Sequence, residues 1–145
     1  NVIEKCIQLT GNFNVIHHSW YSEDQTKEDL FNYPYQFIEN KHFKYYYYAV
    51  TANPPADTVF QSGIGEHELR NPSVIKDEVT HNGYLFTPFV NKDKKVIASI
   101  YKELDLMDNL FPVTRSCELK GKLEYYGHCG KCWWCEERQW GFEQL

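Results

Sequence analysis

Four of the five cysteines lie close together near the carboxyl end of the chain, with a spacing typical of a metal site. Cys117 is followed by eleven residues and then by the run Cys129-x-x-Cys132-x-x-Cys135. Tetrahedral zinc, with Zn–S distances of about 2.3 Å, holds neighbouring sulfurs roughly 3.8 Å apart. A Cys-x-x-Cys step places two thiols on one side of a turn, and Gly130 allows the tight backbone path. The spacing therefore predicts a structural zinc site made of Cys117, Cys129, Cys132 and Cys135.

Four protein ligands leave no open coordination position, so such a zinc ion would stabilise the fold rather than activate water. Three alternatives stay open. His128 could replace a thiol, or the thiols could be inert or disulfide-bonded, although an odd number of cysteines weakens a disulfide framework. An iron–sulfur cluster is the third, but its Cys-x₂-Cys-x₂-Cys pattern continues with x₃-Cys-Pro, which is absent here. Cys6 stands apart, and we expect it to be a buried small apolar residue.

Apolar residues at helical spacing predict the helices that must position these thiols. The clearest helix runs from Asp93 to Leu104, with Asp93 as its cap and a single apolar stripe. A second helix is predicted over residues 2–10, where Gly11 ends it. A polar stretch over Ser22–Leu30 favours a further short helix.

Strands are predicted where aromatic and β-branched residues concentrate. The strongest candidate is Phe43–Thr51, Tyr84–Phe86 is a second, and residues 13–20 alternate loosely. Residues 61–83 are glycine-rich with mixed charge and are predicted to form a long loop. Strands and helix in this order indicate an α/β fold with a partly parallel sheet.

Composition excludes several classes of protein. The 145 residues fit one compact domain with 17% aromatic residues. The net charge of −5 argues against a bulk nucleic-acid binder, because each phosphate contact needs a Lys or Arg. There is no run of 18 apolar residues and no signal-peptide pattern, and clustered thiols favour a reducing compartment. We therefore expect a cytoplasmic protein without a membrane partner.

Several motifs between residues 84 and 142 occur in an order that characterises an enzyme family. They are Phe86-Thr87-Pro88-Phe89, Asp93-Lys94 opening a helix, Thr114-Arg115-Ser116-Cys117, the run from Gly127 to Arg138, and Gly141-Phe142. Together they resemble the carboxy-terminal part of 7-cyano-7-deazaguanine synthases. These enzymes are PP-loop ATP pyrophosphatases with the adenine nucleotide alpha hydrolase fold.

The resemblance implies a fold, an activity and site residues. Residues 1–111 would be a partial PP-loop α/β domain with a parallel sheet, and residues 112–145 a zinc-binding segment. The four clustered cysteines would hold Zn²⁺, and Lys94 and Arg138 would bind nucleotide or substrate. The activity would be that of an ATP-dependent carbon–nitrogen ligase, which adenylylates a deazapurine carboxylate before ammonia attacks. Its product feeds queuosine-type modified nucleosides.

Two departures from the family pattern limit what this chain can do alone. The family's phosphate loop, Ser-Gly-Gly-x-Asp-Ser, has no counterpart, because the sequence contains no Gly-Gly pair. ATP and Mg²⁺ would then bind only if a missing amino-terminal half supplies that loop. The expected partners are such an amino-terminal half or further copies in a homo-oligomer, together with a small-molecule deazapurine substrate. Residues 53–75 do not match the family's substrate loop, so the substrate and the catalytic residues stay open.

Two other functions compete with the enzyme hypothesis. The chain could be a non-catalytic zinc-knuckle module that docks protein or nucleic acid through Trp133, Trp134 and nearby lysines. It could also be a thiol redox protein that uses Cys129 and Cys132, which bound zinc would prevent.

Overall fold

A computed structural model describes residues 2–11, 44–63, 70–80, 83–117 and 127–145 of the protein. The elements in these ranges, in chain order, are helix α1 (Val2–Thr10), strands β1 (Tyr46–Tyr47), β2 (Val79–Thr80) and β3 (Leu85–Phe86), helix α2 (Lys94–Glu103), a 3₁₀ turn (Phe111–Val113) and helix α3 (Trp133–Phe142). No helix in this part of the chain is both long enough and apolar enough to cross a bilayer.

The described strands form a three-stranded mixed sheet in the order β1-β3-β2. β1 runs parallel to β3, with Tyr46 opposite Leu85, whereas β2 runs antiparallel to β3, with Thr80 opposite Leu85. The expected α/β class with a partly parallel sheet is confirmed at this coarse level. The region predicted as a long loop contains β2, which the sequence pattern missed because two residues show no periodicity.

The strand predicted over residues 43–51 is paired over a shorter stretch than expected. Tyr46 and Tyr48 donate backbone hydrogen bonds to Tyr84 and Phe86 at 2.8 and 2.9 Å. Tyr47 is 66% exposed, whereas Tyr46 and Tyr48 are half-buried, as the alternation of a strand requires. Beyond β1 the chain lies beside the segment that follows β3, since the Ala52 N–H donates to the Lys92 carbonyl at 3.0 Å.

Two predicted helices are confirmed, and their ends have clear causes. The Asp93 carboxylate accepts hydrogen bonds from the backbone N–H groups of Lys95 and Val96 at 2.9 and 3.0 Å and so caps α2. α1 ends at Gly11, which has a left-handed φ of 66°. The strand predicted over 13–20 and the helix over 22–30 lie outside the described residues.

The packing of α2 against α3 forms the apolar core. Ala98, Phe111 and Phe142 are buried there. The rings of Phe111 and Phe142 lie 4.6 Å apart, and Tyr101 meets Phe142 edge-on at 5.3 Å. The core thus holds the carboxyl end of α3 through Phe142, while the amino-terminal end of the helix begins after Cys132.

Candidate metal centre

Cys117, Cys129, Cys132 and Cys135 converge at the amino-terminal end of α3. Their sulfur atoms all lie within 4.8 Å of one another. The Sγ atoms of Cys129 and Cys135 are 3.9 Å apart, and those of Cys117 and Cys132 are 4.0 Å apart. These separations are close to the roughly 3.8 Å edge of a zinc–thiolate tetrahedron. The four residues are thus compatible with a structural Zn²⁺ ion.

The local sequence explains how three of the thiols meet. Gly130 has a φ of 72°, a left-handed conformation that a side chain would strain, and it turns the chain sharply after Cys129. The Cys132 N–H then donates to the Cys129 sulfur at 3.3 Å, and the Cys132 carbonyl accepts the Cys135 N–H at 2.9 Å. Cys132 directly precedes the first residue of α3 and is its N-cap residue.

Arg138 positions the segment that delivers the fourth thiol. Its guanidinium donates to the Phe111 carbonyl and to Thr114 Oγ1, both at 3.0 Å, and lies 3.8 Å from the Phe111 ring centre. This anchors the 3₁₀ turn to α3 one helical turn after Cys135. Cys117 follows three residues beyond Thr114, and its sulfur lies 4.0 Å from that of Cys132.

The two thiols on either side of Cys132 have different proton affinities. Burial raises the pKa of Cys135 to about 12. The pKa of Cys129 is lowered, chiefly by a hydrogen bond from the Lys131 backbone and also by one from Cys132. A cation must therefore displace the proton of Cys135 near neutral pH, which is what a divalent metal ion does to a thiol ligand.

His128 lies beside the cluster but outside the set of four sulfurs. Its Nδ1 atom is 3.9 Å from the Cys135 sulfur. Burial lowers the pKa of His128, and the positive charges of Arg138 and Arg115 lower it further. The imidazole ring is thus neutral near pH 7. His128 stays the alternative to one of the four thiols as a metal ligand.

The charged residues Arg70, Lys94 and Glu137 form a group next to the cysteine cluster. The sequence pattern did not single out Arg70 or Glu137. Glu137 is 0% exposed and forms an ion pair with Arg70, which is 6% exposed. Burial raises the pKa of Glu137, against the opposing effects of Arg70 and Lys94. The only signal in the sequence was that Glu137 lies two positions after the last cysteine of the motif.

The resemblance assigned a ligand-binding role to Lys94 and Arg138; Arg138 is buried, whereas Lys94, the first residue of α2, is half-buried. Burial lowers the pKa of Lys94, although Glu137 acts in the opposite direction. A cavity of about 90 Å³ is lined in part by segments that follow β1 and β3 in the chain, which include Asn53 and Asn91. Neither Lys94 nor Arg138 lines it, and their ligand-binding role stays a prediction.

Comparison of the chain with protein-family models, curated proteins and solved structures finds no match in any of the three. The fold and the site together define a small mixed α/β protein with a carboxy-terminal cluster of four cysteines that can hold a metal ion. Function is therefore inferred from the residues and their geometry.

Proposed function

We propose that Cys117, Cys129, Cys132 and Cys135 bind one Zn²⁺ ion with a structural role. The observation that carries this proposal is the approach of four sulfurs to within 4.8 Å of one another, three from the turn at the start of α3 and one from Cys117. Structural zinc contributes about 10–16 kcal/mol in zinc-finger peptides, as much as the whole stability of a typical domain. We infer that the carboxy-terminal segment needs the ion to keep its fold.

Metal analysis of the purified full chain tests this proposal. We expect one equivalent of zinc per chain in the wild type and less than half an equivalent in Cys135→Ser. Cys6→Ser is the matched control and should retain a full equivalent, because Cys6 lies outside the cluster. Iron with visible absorption would instead support the cluster alternative, and metal-free wild-type protein would end the zinc proposal.

We further propose that the chain is related to the PP-loop ATP pyrophosphatases and is similar to the carboxy-terminal part of 7-cyano-7-deazaguanine synthases. The order of motifs between Phe86 and Phe142 supports this proposal. The parallel pairing of β1 with β3 is compatible with the adenine nucleotide alpha hydrolase fold. In open α/β sheets, ligands bind beyond the carboxyl ends of parallel strands, and the segments that follow β1 and β3 contribute to the lining of the small cavity.

The reaction proposed for such a protein is adenylylation of a deazapurine carboxylate, followed by attack of ammonia. This chain would contribute the zinc-binding carboxy-terminal segment and part of the substrate site. Because its sequence contains no Gly-Gly pair to form a phosphate-binding loop, we propose no ATP site for these 145 residues alone.

Binding of 7-carboxy-7-deazaguanine to the zinc-loaded chain tests the family proposal. We expect the compound to shift the backbone amide resonances of Asn53 and Asn91, whereas ATP and guanine should leave them in place. If 7-carboxy-7-deazaguanine produces no shift at saturating concentration, the substrate assignment is wrong.

The surroundings of Trp133 and Trp134 give the zinc-knuckle alternative little support. The Arg70 guanidinium lies 4.4 Å from the Trp133 ring centre and 5.1 Å from that of Trp134. Both indoles are half-buried, so they are engaged within the protein rather than presented to a partner. Salt-dependent RNA binding that is lost on Lys→Ala changes would favour this alternative nevertheless.

A further inference from the structure

Two carboxylates that directly follow the last cysteine contact the loops beyond β1. The Glu136 carboxylate accepts hydrogen bonds from the backbone N–H groups of Gln61 and Ser62 at 3.0 and 2.9 Å, and from the Ser62 hydroxyl. Glu137, the next residue, pairs with Arg70 in the interior. The first turn of α3 thus carries a predicted metal ligand and two loop contacts in consecutive positions.

Arg70 extends the contact to the segment that follows β1. Its Nε donates to the Thr51 carbonyl at 2.8 Å, and its own carbonyl accepts the Asn53 N–H at 2.7 Å. Thr51 and Asn53 are each 7% exposed, and Asn53 lines the small cavity. A continuous chain of contacts therefore runs from the cysteine cluster through Glu137 and Arg70 to the cavity wall.

We propose that Glu136 and Glu137 are positioning residues that couple occupancy of the metal site to the order of residues 51–62. This inference rests on the zinc site of the proposed function. The metal holds the turn formed by residues 129–135, and this turn sets the direction in which α3 begins. That direction points the carboxylates of Glu136 and Glu137 toward the loops that follow β1. By thermodynamic reciprocity, loops that are held by these carboxylates must in turn favour metal binding.

Zinc affinity of the full chain, measured by competition with a chelator, tests the coupling. Glu136→Gln and Glu137→Gln should each weaken zinc binding by about fivefold or more, the lower end of typical coupling factors. Glu143→Gln, at the residue that caps the carboxyl end of α3, is the matched control, because its side chain is 83% exposed and pairs only loosely with Lys102 at 3.7 Å. Unchanged affinity in both test variants would overturn the inference and leave the zinc site itself standing.

Amide hydrogen exchange provides a readout at the loops. In zinc-loaded protein, Glu136→Gln should lower the protection of the Gln61 and Ser62 amides at least tenfold, while amides within α2 keep theirs. Partial withdrawal of zinc from the wild type should expose the amides of Asn53, Gln61 and Ser62 before those of α2. Simultaneous loss everywhere would mean global unfolding and would contradict a specific coupling.

A double substitution distinguishes coupling between the sites from a purely structural effect of the buried Arg70–Glu137 ion pair. Arg70→Met/Glu137→Met removes both charges, so it avoids the unpaired buried charge that either single change leaves. If the pair transmits order between the sites, zinc affinity stays at least fivefold below wild type even when thermal stability recovers. If zinc affinity recovers together with stability, the pair only stabilises the fold and the inference is wrong.

Discussion

Arg138 can be buried because protein partners replace much of the water that its guanidinium loses. It is 3% exposed, donates hydrogen bonds to Phe111 and Thr114, and stacks on an aromatic ring. An isolated buried cation would be very costly without such partners. Its charge also interacts with Cys135. Four thiolates around Zn²⁺ carry a net charge of −2, so a cation at this place favours the ionised site.

Tyr101 gives a prediction for the alkaline range. Burial in the core raises its pKa, with Cys6 acting in the same direction and Arg138 opposing. A raised folded-state pKa means that this contribution to stability is complete below the ordinary tyrosine pKa near 10 and is lost as the pH rises further. Tyr101→Phe, which retains the ring, should therefore lose less stability than the wild type between about pH 9.5 and 11.

Urea unfolding at fixed zinc concentration measures this difference across the pH range. Tyr47→Phe is the control, since that ring is 66% exposed. Parallel loss of stability in the wild type and Tyr101→Phe would show that Tyr101 ionises as readily in the folded protein as in the unfolded chain.

At the scale of elements, the contact between α2 and α3 depends on one glycine. A Cβ atom on Gly141 would overlap the Cβ of Lys94 and lie 2.9 Å from its carbonyl carbon. The missing side chain therefore lets the carboxyl half of α3 approach the first turn of α2. The close approach of the two helices brings the aromatic residues of the core together. The core in turn fixes one end of α3, whose other end carries the cysteine turn.

Gly141→Ala should destabilise the protein by about 1–3 kcal/mol through overpacking against Lys94. The sign is informative, because alanine is ordinarily favoured over glycine inside a helix by roughly 1 kcal/mol. Denaturant unfolding of zinc-loaded protein measures the change. Gln139→Ala on the exposed side of the same helix should stay within about 0.5 kcal/mol of wild type. A neutral or stabilising Gly141→Ala would contradict the close approach of the two helices.

At the scale of the whole molecule, the described sheet is small and the core between α2 and α3 is modest. The cysteine cluster joins α3 to the segment ending at Cys117, and the buried pair Arg70–Glu137 joins α3 to the loops beyond β1. α3 is thus the element at which the separate parts of the chain meet. Loss of the metal should affect all of them.

Removal of zinc by a chelator should lower the thermal midpoint of the full chain. A ligand at a thousandfold excess over its Kd stabilises by about 4.1 kcal/mol, which corresponds to roughly 10 °C for a chain of this size. Calorimetry before and after chelation measures the shift, and added Zn²⁺ should restore the midpoint whereas Mg²⁺ should not. An unchanged midpoint would mean that the ion does not stabilise the fold.

Local features were readable from the sequence because their determinants are close in the chain. The Cys-x-x-Cys steps with Gly130, and Asp93 at the start of α2, act over a few residues, so the sequence alone predicts them. The fourth thiol, Cys117, was also identified, since few other cysteines were available to complete a tetrahedron.

Tertiary structure alone decided which charged residues are buried. Glu137 and Arg138 follow a cysteine motif in a charged run, and charged residues are ordinarily exposed. Their burial depends on Arg70, 67 positions away, and on the Phe111 carbonyl, 27 positions away. Sequence patterns report the period of one element, whereas the cost of burying a charge depends on partners that only the folded chain brings within hydrogen-bond distance.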